Sequence, residues 1–113
     1  METKGQHVTA DVWCNEYDYY DAEDFCVSLS EVIMETNLNI VDYKLHKFDD
    51  NGAFTCVWVL AESHFSIHTF PERNFVSMDC YTCGANGKPL RAIAEALDLF
   101  DVREVKLNVL TRG

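Results

Sequence analysis

The chain has 113 residues, 48% of them hydrophobic, and a formal net charge of −10 at pH 7. That length suits one domain with a single core and little surplus burial, so an oligomeric partner would add to its stability. Nineteen Asp and Glu against nine Lys and Arg, scattered rather than gathered in a tail, argue against a nucleic-acid or membrane surface and leave a cationic ligand electrostatically welcome.

Residues 6–14, QHVTADVWC, alternate as a strand does. Asp21 then offers a helix N-cap before Phe25, Leu29, Val32, Ile33 and Thr36, which recur at helical spacing. Asn37-Leu38-Asn39 breaks that helix, and IVDYKLHKF (40–48) reads as a strand. Asp49-Asp50-Asn51-Gly52 is a turn leading into AFTCVWVLA (53–61), whose unbroken apolar character predicts a central, buried strand.

Residues 64–70 and 75–83 predict a second hairpin around Pro71-Glu72-Arg73-Asn74. Gly84-Ala85-Asn86-Gly87 reads as a loop, and Pro89 fits the first turn of a helix with an apolar face of Leu90, Ile93, Ala94, Leu97 and Phe100. EVKLNVL (104–110) is a closing strand. Hairpins combined with two one-sided helices predict an α+β fold, a two-layer α/β sandwich with an antiparallel sheet and both helices on one face. The other face is then left for a site or a partner.

The N-terminal METKGQHVTADV lacks the apolar core of a secretory leader, and no segment approaches the roughly 20 apolar residues of a membrane helix. Five cysteines, an odd number, predict mostly free and buried thiols in a reducing, cytoplasmic setting.

The segment ESHFSIHTFPE (62–72) concentrates residues that can attack or carry protons. Strand alternation puts Phe65 and Ile67 toward the core, and His64, Ser66 and His68 on the open face. At about 3.3 Å per residue the two histidines stand some 13 Å apart, too far to share a zinc ion. Cys80-Tyr81-Thr82-Cys83 is CxxC in form, but its second cysteine ends a strand and no second CxxC exists, so no metal is expected. Phe75, Ser77, Asp79, Tyr81 and Cys83 share one strand face, which brings Cys83 to the side of His64, Ser66 and His68. A Cys, a His and a Ser on adjacent strands could meet there, with Gly84 allowing close backbone approach.

ESHFSIHTFPE followed by DCYTCG (79–84) resembles the prokaryotic S-adenosylmethionine decarboxylase proenzymes, whose motifs read approximately ESHxxIHTxPE and DxxTCG. The matching positions are Glu62, Ser63, His64, Ile67, His68, Thr69, Pro71, Glu72, Asp79, Thr82, Cys83 and Gly84. Weaker similarity reaches Gly5, His7, His46 and Phe48. The resemblance implies a two-layer α/β sandwich that forms a homodimer with sites at the protomer interface.

It also implies that the chain cuts itself between Glu62 and Ser63 into residues 1–62 and 63–113. Ser63 attacks the preceding carbonyl and ends as a pyruvoyl group, the only cofactor, which forms a Schiff base with the substrate amine. His68 matches the family's processing histidine and Thr55 the hydroxyl that assists it. Cys83 matches the proton donor of decarboxylation, a role open to a thiol because most thiols are protonated at neutral pH. Phe48, Phe70 and Glu72 are substrate-binding candidates, the rings offering stacking and cation–π attraction to a sulfonium that carries adenine.

The family commonly has Trp-Pro-Glu-Tyr-Gly where this chain has Phe70-Pro71-Glu72-Arg73-Asn74, so Arg73 adds a cation beside the expected pocket. Relatives that act on arginine or ornithine keep the pyruvoyl machinery, so those substrates stay open, as does a non-cleaving pseudoenzyme.

Overall fold

Strands β1 (Gly5–Cys14), β2 (Ile40–Lys47), β3 (Phe54–Leu60), β4 (Ser63–Phe70), β5 (Phe75–Cys83) and β6 (Val102–Arg112) and helices α1 (Ala22–Glu35) and α2 (Lys88–Leu97) appear in the expected order. The computed structural model describes residues 4–18, 21–83 and 88–113. The strands form one sheet, β2-β3-β4-β5-β1-β6, in which every pairing is antiparallel.

Helix α1 starts where its cap dictates: the Asp21 carboxylate accepts from the Asp24 N–H at 3.1 Å, and Glu23 and Asp24 add negative charge to the first turn. Phe25, Leu29 and Ile33 bury one face against Phe54, Trp58, Phe65, Ile67 and Met78 of the sheet. Trp58 Nε1 donates to Ser30 Oγ at 2.8 Å, tying α1 to β3 without leaving a polar group stranded in the core. Full burial of one such apolar side chain contributes roughly 1.5–3 kcal/mol.

Helix α2 departs from expectation. Its buried face is Pro89, Ala92, Ile93 and Ala96, whereas Leu90 and Ala94 are exposed and Phe100 lies beyond the helix, 5.4 Å from the Phe25 ring. Small alanines let the helix approach the sheet closely, which larger leucines on that face would prevent.

Strand β3 is also not buried on both sides. Phe54, Cys56, Trp58 and Leu60 are in the core, but Val57 and Val59 project from the open face. Both helices lie on the other side, so the open face is a broad surface carrying Thr55, Val57, Val59, His64, His68, Phe70, Asp79, Tyr81 and Cys83. No helix among the described residues is long and apolar enough to cross a membrane.

Candidate active site

Ala61 and Glu62 form the two-residue turn between β3 and β4, with Leu60 paired to Ser63. Tight hairpin turns require a positive φ, which glycine and asparagine adopt easily. Here the residue is Glu62, at φ 59°. The other non-glycine residues with positive φ among those described are Asn37 and Asn74, a residue type that tolerates this conformation. Glu62 therefore carries about 1–2 kcal/mol of backbone strain at the peptide bond expected to break.

Strand β5 ends beside this turn. Cys83 donates its S–H to the Glu62 carbonyl oxygen at 3.2 Å, and it is the exposed one of five free cysteines. A donor on that oxygen polarises the carbonyl for attack by a neighbouring nucleophile. Ser63 supplies a hydroxyl next in sequence and is half-buried at the start of β4.

A second group forms at the far end of β4. Thr55 and His68 are cross-strand partners, with Thr55 Oγ1 2.9 Å from His68 Nδ1. This bond orients the imidazole and leaves its other nitrogen available to a groove of about 400 Å³ lined by Phe48, Ala53, Thr55, His68, Thr69, Phe70 and Glu72. The size suits a small organic ligand. Thr69 shapes the groove: its hydroxyl donates to the Gly52 carbonyl at 2.6 Å and accepts from the Phe54 N–H at 2.9 Å, joining the 49–52 turn to β4. Phe48 is 64% exposed, with its ring 4.8 Å from His46, so it is a surface ring and not core packing.

These two groups do not meet within one chain. Register pairs His68 with Ser77 and His64 with Tyr81, so Cys83 lies near Glu62 and several residues away from His68. Ser63 and His68 are five strand positions apart, roughly 16 Å. Of the Cys, His and Ser expected to meet from adjacent strands, His68 is set apart: it shares the open face with Cys83, but the antiparallel register places Cys83 beside the start of β4 and His68 toward its other end. Gly84 and the 84–87 loop lie outside the described residues.

Between the two groups sits a cluster that sequence reasoning missed. Asp79 Oδ2 accepts from His7 Nε2 at 2.7 Å and from His64 Nε2 at 2.9 Å, while Ser66 Oγ donates to Asp79 Oδ1. Burial pushes the Asp79 carboxyl up, but the hydrogen bonds from Ser66, His64 and His7 outweigh it and hold the group below its ordinary range. The metal-binding atoms of His7, His64 and Asp79 lie within 4.8 Å of one another. In the sequence His64 stands near His68 and 57 positions from His7, and the Gly5-x-His7 similarity is the one signal that β1 contributes to this face.

The CxxC segment is not a dithiol. Cys80 points into the core and Cys83 to the open face, as strand alternation requires at a separation of three. Burial and the nearby Asp79 push the Cys80 thiol up to about 12. Arg73 packs its guanidinium over the rings of Phe70 and Phe75, at 5.5 and 5.0 Å, and the groove lining does not include it.

Residues 6–113 match the family model described as S-adenosylmethionine decarboxylase. The S-adenosylmethionine decarboxylase proenzyme 2 of a Bacillus cereus strain is 33% identical over 115 residues, covering 98% of this chain and 90% of the relative. The S-adenosylmethionine decarboxylase proenzyme of Brevibacillus brevis is 35% identical over 112 residues, covering 98% and 84%. The crystal structure of the adenosylmethionine decarboxylase from Aquifex aeolicus superposes with a TM-score of 0.88 at 31% identity, covering all of this chain and 93% of that one. With the fold, the motif positions and nearly the whole length in agreement, the chain belongs to the S-adenosylmethionine decarboxylase family.

Proposed function

We propose that this protein is a pyruvoyl-dependent S-adenosylmethionine decarboxylase, made as a single-domain proenzyme (1–113) that cuts itself into residues 1–62 and 63–113. The product is the aminopropyl donor of polyamine synthesis, and a cytoplasmic setting agrees with such a biosynthetic role. The observation that carries the reading is the hydrogen bond from Cys83 to the carbonyl of the strained residue Glu62.

In the cutting step, Ser63 Oγ attacks the Glu62 carbonyl carbon as the C–N bond breaks, giving an ester and a free Ser63 amine. Cys83 supports the negative charge that develops on the carbonyl oxygen. β-Elimination then releases the Glu62 carboxylate and leaves dehydroalanine, which tautomerises to an imine. Water hydrolyses the imine to pyruvoyl with loss of ammonia.

The finished pyruvoyl carbonyl supplies an electron sink for a substrate amine as the carboxylate leaves. Cys83, beside the same carbon framework, delivers a proton to the substrate's α-carbon. Thr55 fixes the His68 ring for proton transfer during cutting. Phe48 and Phe70 offer aromatic faces to adenine and the sulfonium, and Glu72 a carboxylate to the cationic substrate.

The separation of Ser63 and Cys83 from Thr55, His68 and Glu72 supports a homodimer. Two open faces packed about a twofold axis bring one protomer's Ser63 end over the partner's His68 end. Exposed Val57, Val59, Phe48 and Leu110 would be covered in the process. The arginine and ornithine alternatives are not favoured, because the relatives above are named for S-adenosylmethionine.

Intact mass of the denatured protein tests the reading. Two fragments meeting at Glu62/Ser63, the second lighter than its Ser-started sequence by one ammonia, are expected. Release of CO2 from carboxyl-labelled S-adenosylmethionine, with arginine and ornithine as comparisons, then identifies the substrate. An uncut chain would refute the proposal.

A further inference from the structure

Four positions matching the family pattern, Gly5, His7, His64 and Asp79, have no part in the chemistry above, and the structure gathers them. His7 on β1 and His64 on β4 both pair with Tyr81 on β5, and their rings lie 5.7 and 6.1 Å from it. Both lean to the Asp79 carboxylate, which also takes the Ser66 hydroxyl. Arg112 donates to His7 Nδ1 at 3.2 Å and lies over the Tyr81 ring at 5.6 Å. A Cβ on Gly5 would stand 2.5 Å from the Tyr81 hydroxyl oxygen and 2.6 Å from its ring, so a side chain there would push the tyrosine from its place against the two histidines.

A divalent ion does not fit these donors. Because Arg112 donates to His7 Nδ1, the proton of that ring is on Nε2, the atom a metal would need bare. The guanidinium charge beside it opposes a cation further. The arrangement is instead a carboxylate saturated by three donors from two neighbouring strands. Two of those donors, His64 and Ser66, are the first and third residues after Ser63.

We infer that Asp79 is a positioning residue, which together with His7 clamps the start of β4 so that residue 63 stays in place beside Cys83 after the chain is cut. The inference rests on the pyruvoyl reading. Cutting turns residue 63 from part of a hairpin into a chain end, and free strand ends fray. Backbone pairing to β3 and β5 resists this along the whole strand, but the clamp acts on its first few residues. A displacement of about 1 Å at a reacting atom costs about a hundredfold in rate. Substrate rings are held at the groove near Phe48 and Phe70, so loss of the clamp affects turnover more than binding.

The test compares purified wild type, Asp79→Asn, His64→Leu and His64→Gln. For cut Asp79→Asn, kcat is expected to fall ten- to hundredfold with KM changed less than about threefold. Amide hydrogen exchange should rise in the peptide from 63 to 66 and not in β3. His64→Gln, which keeps an N–H donor at similar reach, should recover most of what His64→Leu loses. If Asp79→Asn is uncut or unfolded, the His64 pair decides.

Wild-type kcat in cut Asp79→Asn, or equal losses in the two His64 variants, would overturn the inference while leaving the pyruvoyl reading intact. Stoichiometric zinc or iron on the wild type that is lost in Asp79→Asn would also overturn it. A wild type that is uncut would refute the pyruvoyl reading itself, and one that is cut but releases no CO2 would refute the decarboxylase reading.

Discussion

The Cys83 sulfur lies 3.2 Å from the Glu62 carbonyl oxygen, although the two residues belong to different hairpins, and this contact couples the expected proton donor to the expected cleavage site. A thiol is a weak donor, so its removal should slow cutting less than it slows decarboxylation. Cys83→Ala is expected to cut about tenfold more slowly and to decarboxylate at least about a hundredfold more slowly. Cys83→Ser, which keeps an O–H donor, should cut near the wild-type rate and remain a poor decarboxylase. Time courses of fragment formation and of CO2 release separate the two effects.

Strain at Glu62 has a direct stability signature. In a Ser63→Ala background, where no cut occurs, Glu62→Gly should stabilise the chain by about 1 kcal/mol, because glycine accepts positive φ without a Cβ penalty. With Ser63 present, relief of the same strain should slow cutting about fivefold. Urea midpoints measure the first effect and denaturing gels the second.

If the site is completed across a dimer, one damaged half can be rescued by the other. Chains carrying Cys83→Ala and chains carrying His68→Ala should each be inactive alone. Co-expressed, they form mixed dimers in which one of the two sites has Cys83 from one chain and His68 from its partner. Recovery of decarboxylation in the mixed species, separated by affinity tags, is the expected outcome, and its absence would argue for a site within one chain.

Asp79 sets an acid-dependent part of the stability. Its carboxyl is held below the ordinary range, so its contribution is complete above the unfolded value of about 3.9 and is lost as pH falls through the folded value. Asp79→Asn should therefore cost about 1.5–3 kcal/mol near neutral pH, the range for hydrogen bonds to a charged group. The difference from wild type should shrink below about pH 4. Denaturation curves from about pH 3 to 8 for both proteins give this difference directly.

Local periodicity in the chain was enough to read the element order and the faces of the strands, because a side-chain period of two acts over a few residues. Phe65 and Ile67 are fully buried and His64 and His68 face outward, as alternation requires. The same logic failed where packing overrode pattern: Val57 and Val59 are apolar yet exposed on the open face, and α2 packs through Ala92 and Ala96. Hydrophobicity reports burial in an assembly as well as in one chain, so an apolar run cannot tell a core face from a partner face.

The sequence by itself, through its two motifs and their resemblance to a known family, marked Ser63, His68, Cys83, Thr55 and the groove residues as candidates, and the Glu62–Ser63 bond as the one to be cut. Only the tertiary structure decided which of them are neighbours. Register joins Cys83 to Glu62 across 21 residues and His7 to Asp79 across 72, and it sends His68 to the opposite end of β4. Strand order and register are set by contacts between segments far apart in the chain, which no local pattern encodes.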